Sequence, residues 1–174
     1  MMKKHLQSIL LLICKSPYLD DARVHLPMGV MYLDAAIKRG LPDVYVEVDD
    51  EYDLSDEGME RFRPFHAIGV SIMTPQRFEA SAILHRIKSR WPKKIVIAGG
   101  PHVAHYIDDA CCEPWDYLVQ GDGERDIISI LRGQARRRIL NDILMRKELH
   151  VIPKPDRVGR RNFLERYHYD FDRQ

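Results

Sequence analysis

Three short stretches of the chain carry residue types that could hold a ligand. Gly99-Gly100-Pro101-His102 follows the apolar run Ile95 to Ala98, Ser71, Met73 and Thr74 follow the run Ala67 to Val70, and Gly121-Asp122-Gly123-Glu124 follows Tyr117 to Gln120. A glycine pair at the end of a buried strand leaves the backbone bare. A flat, bulky ligand can then lie against the main chain at the carboxyl edge of a sheet, where open α/β folds place their ligands. The other polar groups do not assemble a familiar reaction centre. Cys14, Cys111 and Cys112 have no metal-ligand spacing. The Gly-Asp-Gly-Glu turn lacks both the third glycine of a dinucleotide fingerprint and the Lys-Ser/Thr of a phosphate loop.

The elements that must position these stretches alternate between strand and helix. Ser8 to Cys14 reads as a buried strand, and the loop Lys15 to Leu26 leads to a helix opened by Pro27-Met28-Gly29 and stopped by Gly40 and Pro42. Val44 to Val48 is the second strand, ending in Asp49-Asp50-Glu51, and the third runs from Ala67 to Ile72. Arg77 to Arg90 reads as a helix with Ala80, Ile83, Leu84 and Ile87 on one face, closed by Trp91-Pro92. The fourth strand ends in the glycine pair, and a short helix is expected over Val103 to Cys112. Tyr117 to Gln120 is the fifth strand, and the helix after Gly123 carries Ile127, Ile128 and Leu131. Strict alternation of this kind predicts a parallel sheet with right-handed crossovers and helices on both faces. The expected fold is α/β, a flavodoxin-like or Rossmann-like three-layer sandwich with a five-stranded parallel sheet in the order 2-1-3-4-5.

Composition bounds the rest. The chain has 174 residues, 45% of them apolar and 30% charged, a globular balance with no run long enough to span a bilayer. Three cysteines, two of them adjacent, predict a reducing, cytoplasmic setting. Residues 1 to 124 carry 14 basic and 19 acidic side chains, whereas residues 125 to 174 carry 13 and 7. Acidic and aromatic residues interrupt the arginines of the basic part, so a connector packed on protein is expected rather than a nucleic-acid binder. Residues 1–133 are expected to form the α/β domain and 134–174 the connector. In the latter, Ala135 to His150 reads as a helix, and Phe163, Tyr167, Tyr169 and Phe171 read as exposed aromatics in want of a partner.

Four motifs together carry a resemblance: Pro27-x-Gly29 with Tyr32-Leu33, Gly69-Val-Ser-Ile-Met-Thr-Pro75, Ala98-Gly-Gly-Pro-His102 and Asp116-Tyr-Leu-Val-Gln-Gly-Asp-Gly-Glu124. Across residues 8 to 132 they resemble the N-terminal cobalamin (B12)-binding domain of cobalamin-dependent radical SAM proteins, the class described as anaerobic magnesium-protoporphyrin IX monomethyl ester cyclase-like. Ile152-Pro-Lys-Pro-Asp-Arg157 looks like the linker that precedes the radical SAM barrel in that family. The sequence has no C-x-x-x-C-x-x-C, so the resemblance implies a binding half without its 4Fe-4S cluster and SAM site, a natural or constructed fragment whose barrel acts in cis or in trans.

The resemblance further implies a cobalamin module that does not itself catalyse. It would hold the corrin base-off for a methyltransferase- or cyclase-type partner, with no role for nucleic acid or membrane. It assigns Ser71, Met73, Thr74, Gly99, Gly100, Pro101, His102, Gly121, Glu124, Pro27 and Gly29 to the cofactor, the small residues lining a slot for the nucleotide tail. Gly100→Leu is then expected to close the slot without unfolding the domain. Many such domains also carry D-x-H-x-x-G, whose histidine ligates cobalt. The nearest arrangement is Asp21, His25 and Gly29, with longer gaps, so His25 is a candidate cobalt ligand or an ordinary loop histidine.

Plainer readings stand beside these. The glycines could merely end a strand, Thr74-Pro75 could cap a helix, and Glu124 suits a helix N-terminus without any ligand. An apo interaction scaffold with a side-chain-filled slot, or a small-molecule or nucleotide-binding α/β protein, are the alternatives. A phospho-receiver, suggested by Asp49-Asp50-Glu51 and Asp53, would need an aspartate where Ser71 stands and a lysine where Gln120 and Gly121 stand.

Overall fold

Five of the six residues of Ser8–Ile13, the first strand β1, are buried, and only a strand covered on both faces can use such a run. β1 is central. In the computed structural model, which describes residues 5–21, 23–144 and 146–167, it pairs in parallel with β2 (Tyr45–Asp49) on one side and β3 (Ala67–Ser71) on the other. β4 (Ile95–Gly99), β5 (Tyr117–Val119) and β6 (Ile139–Leu140) complete the sheet in the order β2-β1-β3-β4-β5-β6.

Alternation along the strands separates two cores. Leu10, Leu12, Ile68, Val70, Val96, Ala98 and Leu118 face one side. There they meet α2 (Asp56–Met59) through Met59, α3 (Arg77–Arg90) through Ala80, Ile83, Leu84 and Ile87, and α4 (Pro101–His105) and α5 (Ile107–Cys111) through Val103 and Ala110. Ile83, Leu84 and Ile87 are 0% exposed, and burial on that scale stabilises by roughly 1.5–3 kcal/mol per side chain. Ile9, Leu11, Ala67, Ile97 and Val119 face the other side, covered by α1 (Met28–Gly40) and α6 (Glu124–Leu131). A parallel sheet between two helical layers fits the flavodoxin-like, Rossmann-like sandwich expected from the sequence. None of the described helices is long and apolar enough to cross a membrane.

Four expectations are corrected. The sheet has six strands, not five. Ala135 to His150 is not a helix but holds β6 and a 3-10 helix, Arg146–Val151. The unpaired edge of β5 captures the segment: Leu118 and Gln120 donate their amides to the carbonyls of Arg138 and Leu140, both at 2.8 Å. Pairing a strand edge outweighs the helical spacing of Ile139 and Ile143. The helix expected over Val103 to Cys112 is instead two short ones, broken at Tyr106 (φ −128°, ψ 51°).

The aromatic tail is also different. Phe163 and Leu164 of α7 (Arg161–Leu164), and Tyr167 beyond it, are buried in the core under α1, while Tyr169 and Phe171 lie outside the described residues. Arg160 fixes this segment by a two-pronged hydrogen bond to the fully buried Asp34 carboxylate of α1, at 2.7 and 3.1 Å, and by a third bond to the Val46 carbonyl of β2.

Candidate functional site

The face of the sheet under α1 and α6 runs out of side-chain bulk at its carboxyl edge. On β3 the residues pointing that way are Ala67, Gly69 and Ser71, and Gly99 stands beside Ser71 on β4. Register places Gly69 between Leu11 and Ile97, so bare main chain is flanked by aliphatic side chains. Above this floor lies a cleft of about 510 Å³, within the range of small-molecule sites. Pro27, Met28 and Gly29, where α1 begins, form one wall, and Gly121 to Gly123, where β5 turns into α6, form another. Leu19, His25 and Met73 stand at its mouth.

Local chemistry explains why the edge stays open. Gly100 has φ +95°, and a Cβ there would meet the Ile72 amide and carbonyl at 2.9 Å, so the turn out of β4 is built for glycine. That turn lets the His102 amide donate to the Ile72 carbonyl at 3.0 Å. Gln76 holds the neighbouring loop: its amide group donates to the Cys14 carbonyl at 2.6 Å and its oxygen accepts from the Met73 amide at 2.8 Å. The ends of β1 and β3 are thereby tied together beside the cleft.

Of the residues expected from the sequence, Pro27, Gly29, Ser71 and Met73 line the cleft, as do Gly99, Gly100, Pro101 and Gly121, with the candidate ligand His25 at the mouth. Thr74, His102 and Glu124 lie outside its lining. Thr74 opens the 3-10 turn before α3 and its carbonyl accepts from Arg77. His102 is buried toward the opposite layer, where its Nε2 lies 3.0 Å from Asp109, its ring stacks on Tyr106, and it borders a smaller cavity of about 110 Å³ with Arg77 and Trp115. Glu124 begins α6 with one carboxylate oxygen buried and without a hydrogen-bond partner, and burial, reinforced by the Asp122 charge, pushes its carboxyl up.

Gln76 and Asp122, which lie in the loops that the sequence places at the ligand, also line the cleft. Sequence reasoning missed Tyr167 as a lining residue, and no signal could have found it, because it arrives from the far end of the chain.

Charge gathers at one side of the mouth. The carboxylates Asp49, Asp50 and Glu51 at the end of β2 meet Arg23, Arg61 and Arg166. Burial pushes the Asp50 carboxyl up, but the hydrogen bond from Arg23 and the Arg166 charge outweigh it and hold the group below the usual carboxylate range. The cleft itself offers bare backbone, aliphatic side chains and the Ser71 hydroxyl, with His25, Asp122 and Tyr167 also in its lining. Such a surface suits a large, mostly apolar ligand with hydrogen-bonding edges. Among the described residues no group of three or more His, Cys, Asp or Glu could hold a metal ion.

A family model described as the B12 binding domain matches residues 21–130. Among solved structures, the N-terminal domain of a hypothetical protein from Thermotoga maritima is similar, at 24% identity over 64% of this chain and 87% of that one, with a TM-score of 0.44. No curated protein matches the chain.

Proposed function

Because the chain belongs to the B12-binding domain family, with cobalamin as the implied cofactor, we propose that it holds cobalamin base-off, for a radical SAM partner domain of methyltransferase or cyclase type. The observation that carries this reading is the open cleft over Ser71 and Gly99, about 510 Å³ in volume. In an interaction scaffold that space would be filled by side chains.

The residues fit the cofactor. A nucleotide tail laid over Gly99 meets no Cβ, and the position a Cβ would take there is 3.7 Å from Val119, with no closer obstacle. Ser71 would hydrogen-bond the tail, the amides of Gly121 and Gly123 would meet its phosphate, and Pro27, Gly29 and Met73 would border the corrin. When bound, cobalamin supplies a cobalt centre for methyl transfer, and this chain's part is to bind it, orient it and exclude water from the tail. Thr74, His102 and Glu124 act at one remove, by shaping the turns on which the cleft residues sit. His25 stands at the mouth but is proposed not to ligate cobalt. Residues 134–174 serve as the connector toward the partner, and the reaction belongs to that partner.

The test is to mix the purified chain with hydroxocobalamin, remove free ligand on a desalting column and record the visible spectrum. Retention of about one equivalent with a base-off spectrum is expected for a single cleft of this size. A colourless protein would favour the scaffold.

A further inference from the structure

The segment 160–167 lies beyond the region matched by the family model, residues 21–130, yet it reaches the cleft. Tyr167 lines the cleft while only 4% exposed. Behind it, Phe163 and Leu164 are buried in the core under α1, and the Phe163 ring lies 5.3 Å from that of Tyr167. Arg160 anchors the start of the segment on Asp34, and Arg166 anchors its end on Asp49 at 3.0 Å and Asp50 at 3.1 Å. Burial and the nearby Asp50 carboxylate push the Tyr167 phenol up.

Asp50 also holds a second piece of the cleft lining. Arg23 donates to its two oxygens at 2.7 and 3.3 Å, and Arg23 lies on the loop whose Leu19, His25 and Leu26 line the cleft. One carboxylate, 7% exposed, is therefore shared by two pieces of cleft wall that are far apart in sequence. A buried carboxylate loses its solvation unless charged donors replace water, so both arginines are held where Asp50 can meet them.

We propose that residues 160–167 form a wall of the cofactor cleft, that Tyr167 contacts the bound cofactor there, and that Asp50 is the positioning residue that sets this wall and the Arg23 loop relative to each other. The contact rests on the cobalamin reading; the wall and its positioning do not. An aromatic ring in a cleft wall adds apolar contact with a planar ligand without asking for a hydrogen bond in return.

Two measurements test this. Cobalamin affinity of Tyr167→Leu, measured at a temperature where the variant is folded, should fall about three- to tenfold, the range for loss of one aromatic contact, and Tyr167→Phe should recover most of the loss. Affinity unchanged in Tyr167→Leu overturns the contact. Hydrogen exchange on the ligand-free protein should quicken in Asp50→Asn over both 19–26 and 160–167, and stay unchanged in β1, β3 and β4. Exchange unaltered in either segment overturns the positioning role. If the wild type retains no corrin, the cofactor reading falls and the Tyr167 contact with it, while the exchange result still decides the wall.

Discussion

Ser71 and Gly99 stand opposite each other on neighbouring parallel strands, both turned toward the cleft. A hydroxyl beside a bare Cα is what gives this face its depth and its one side-chain donor near the floor. Filling the glycine position should therefore cost binding more than folding.

Gly99→Leu is the direct probe of that relationship. A Cβ at Gly99 makes only ordinary contact with Val119, and the rest of the side chain would occupy the slot. Cobalamin retention is expected to disappear while stability changes by at most about 1–3 kcal/mol, the usual range for added bulk. Gly100→Leu is the poorer probe, contrary to the expectation from sequence. Its φ of +95° and the Ile72 backbone at 2.9 Å make it a folding mutation, costing about 1–3 kcal/mol in strain alone. A Gly99→Leu protein that folds and retains corrin would place the ligand elsewhere.

His25 tests the lower face of the cofactor. It sits at the mouth of the cleft rather than on the floor with Ser71, and the proposed state leaves cobalt without this ligand. The visible spectrum of the complex formed by His25→Ala is expected to superimpose on that of the wild type. A clear shift of the cobalt-sensitive bands would make His25 the axial ligand.

Gly121 tests the sixth strand. A Cβ there would lie 2.4 Å from the Asp142 carbonyl, so Gly121→Ala should push the β6 segment off β5. The Leu118 and Gln120 amides would lose their partners on Arg138 and Leu140, a loss of about 1–3 kcal/mol for two net hydrogen bonds. Faster exchange at those two amides, with β3 and β4 unchanged, is the expected result; unchanged exchange would show that the pairing does not need the glycine.

How far the sequence could be read follows from how local each determinant is. α3 was legible to the residue, because Ala80, Ile83, Leu84 and Ile87 repeat at helical spacing and Trp91-Pro92 stops the chain. The glycine pair was legible because an apolar run followed by bare backbone constrains what can sit there. β6 was not: Ile139 and Leu140 gain their partners only once β5 presents an edge. Nor was the wall at Tyr167, since Arg160 meets Asp34 across 126 positions and no periodicity encodes such a pairing. His102 borders the smaller cavity because the chain turns into α4 directly after Gly100, and a helical turn rather than strand alternation sets where its side chain goes.

Acid should loosen the mouth before the core. The Arg23 hydrogen bond, joined by the Arg166 charge, holds the Glu51 carboxyl below its usual range, and Asp50 is depressed as described above. A carboxyl whose folded pKa lies below its unfolded value contributes stability that is complete above the unfolded value and is lost as pH falls through the folded one. Glu124 and Asp126 act in the opposite sense. Burial raises both, so the folded state takes up protons first and gains stability as pH falls through their raised values. Urea midpoints are therefore expected to hold level or rise slightly from pH 7 to about 5, then drop below about pH 4 as Asp50 and Glu51 protonate. Asp50→Asn should flatten the drop and Glu124→Gln should remove part of the rise. Midpoints that climb steadily down to about pH 3 would mean the arginines contribute nothing at Asp50 and Glu51.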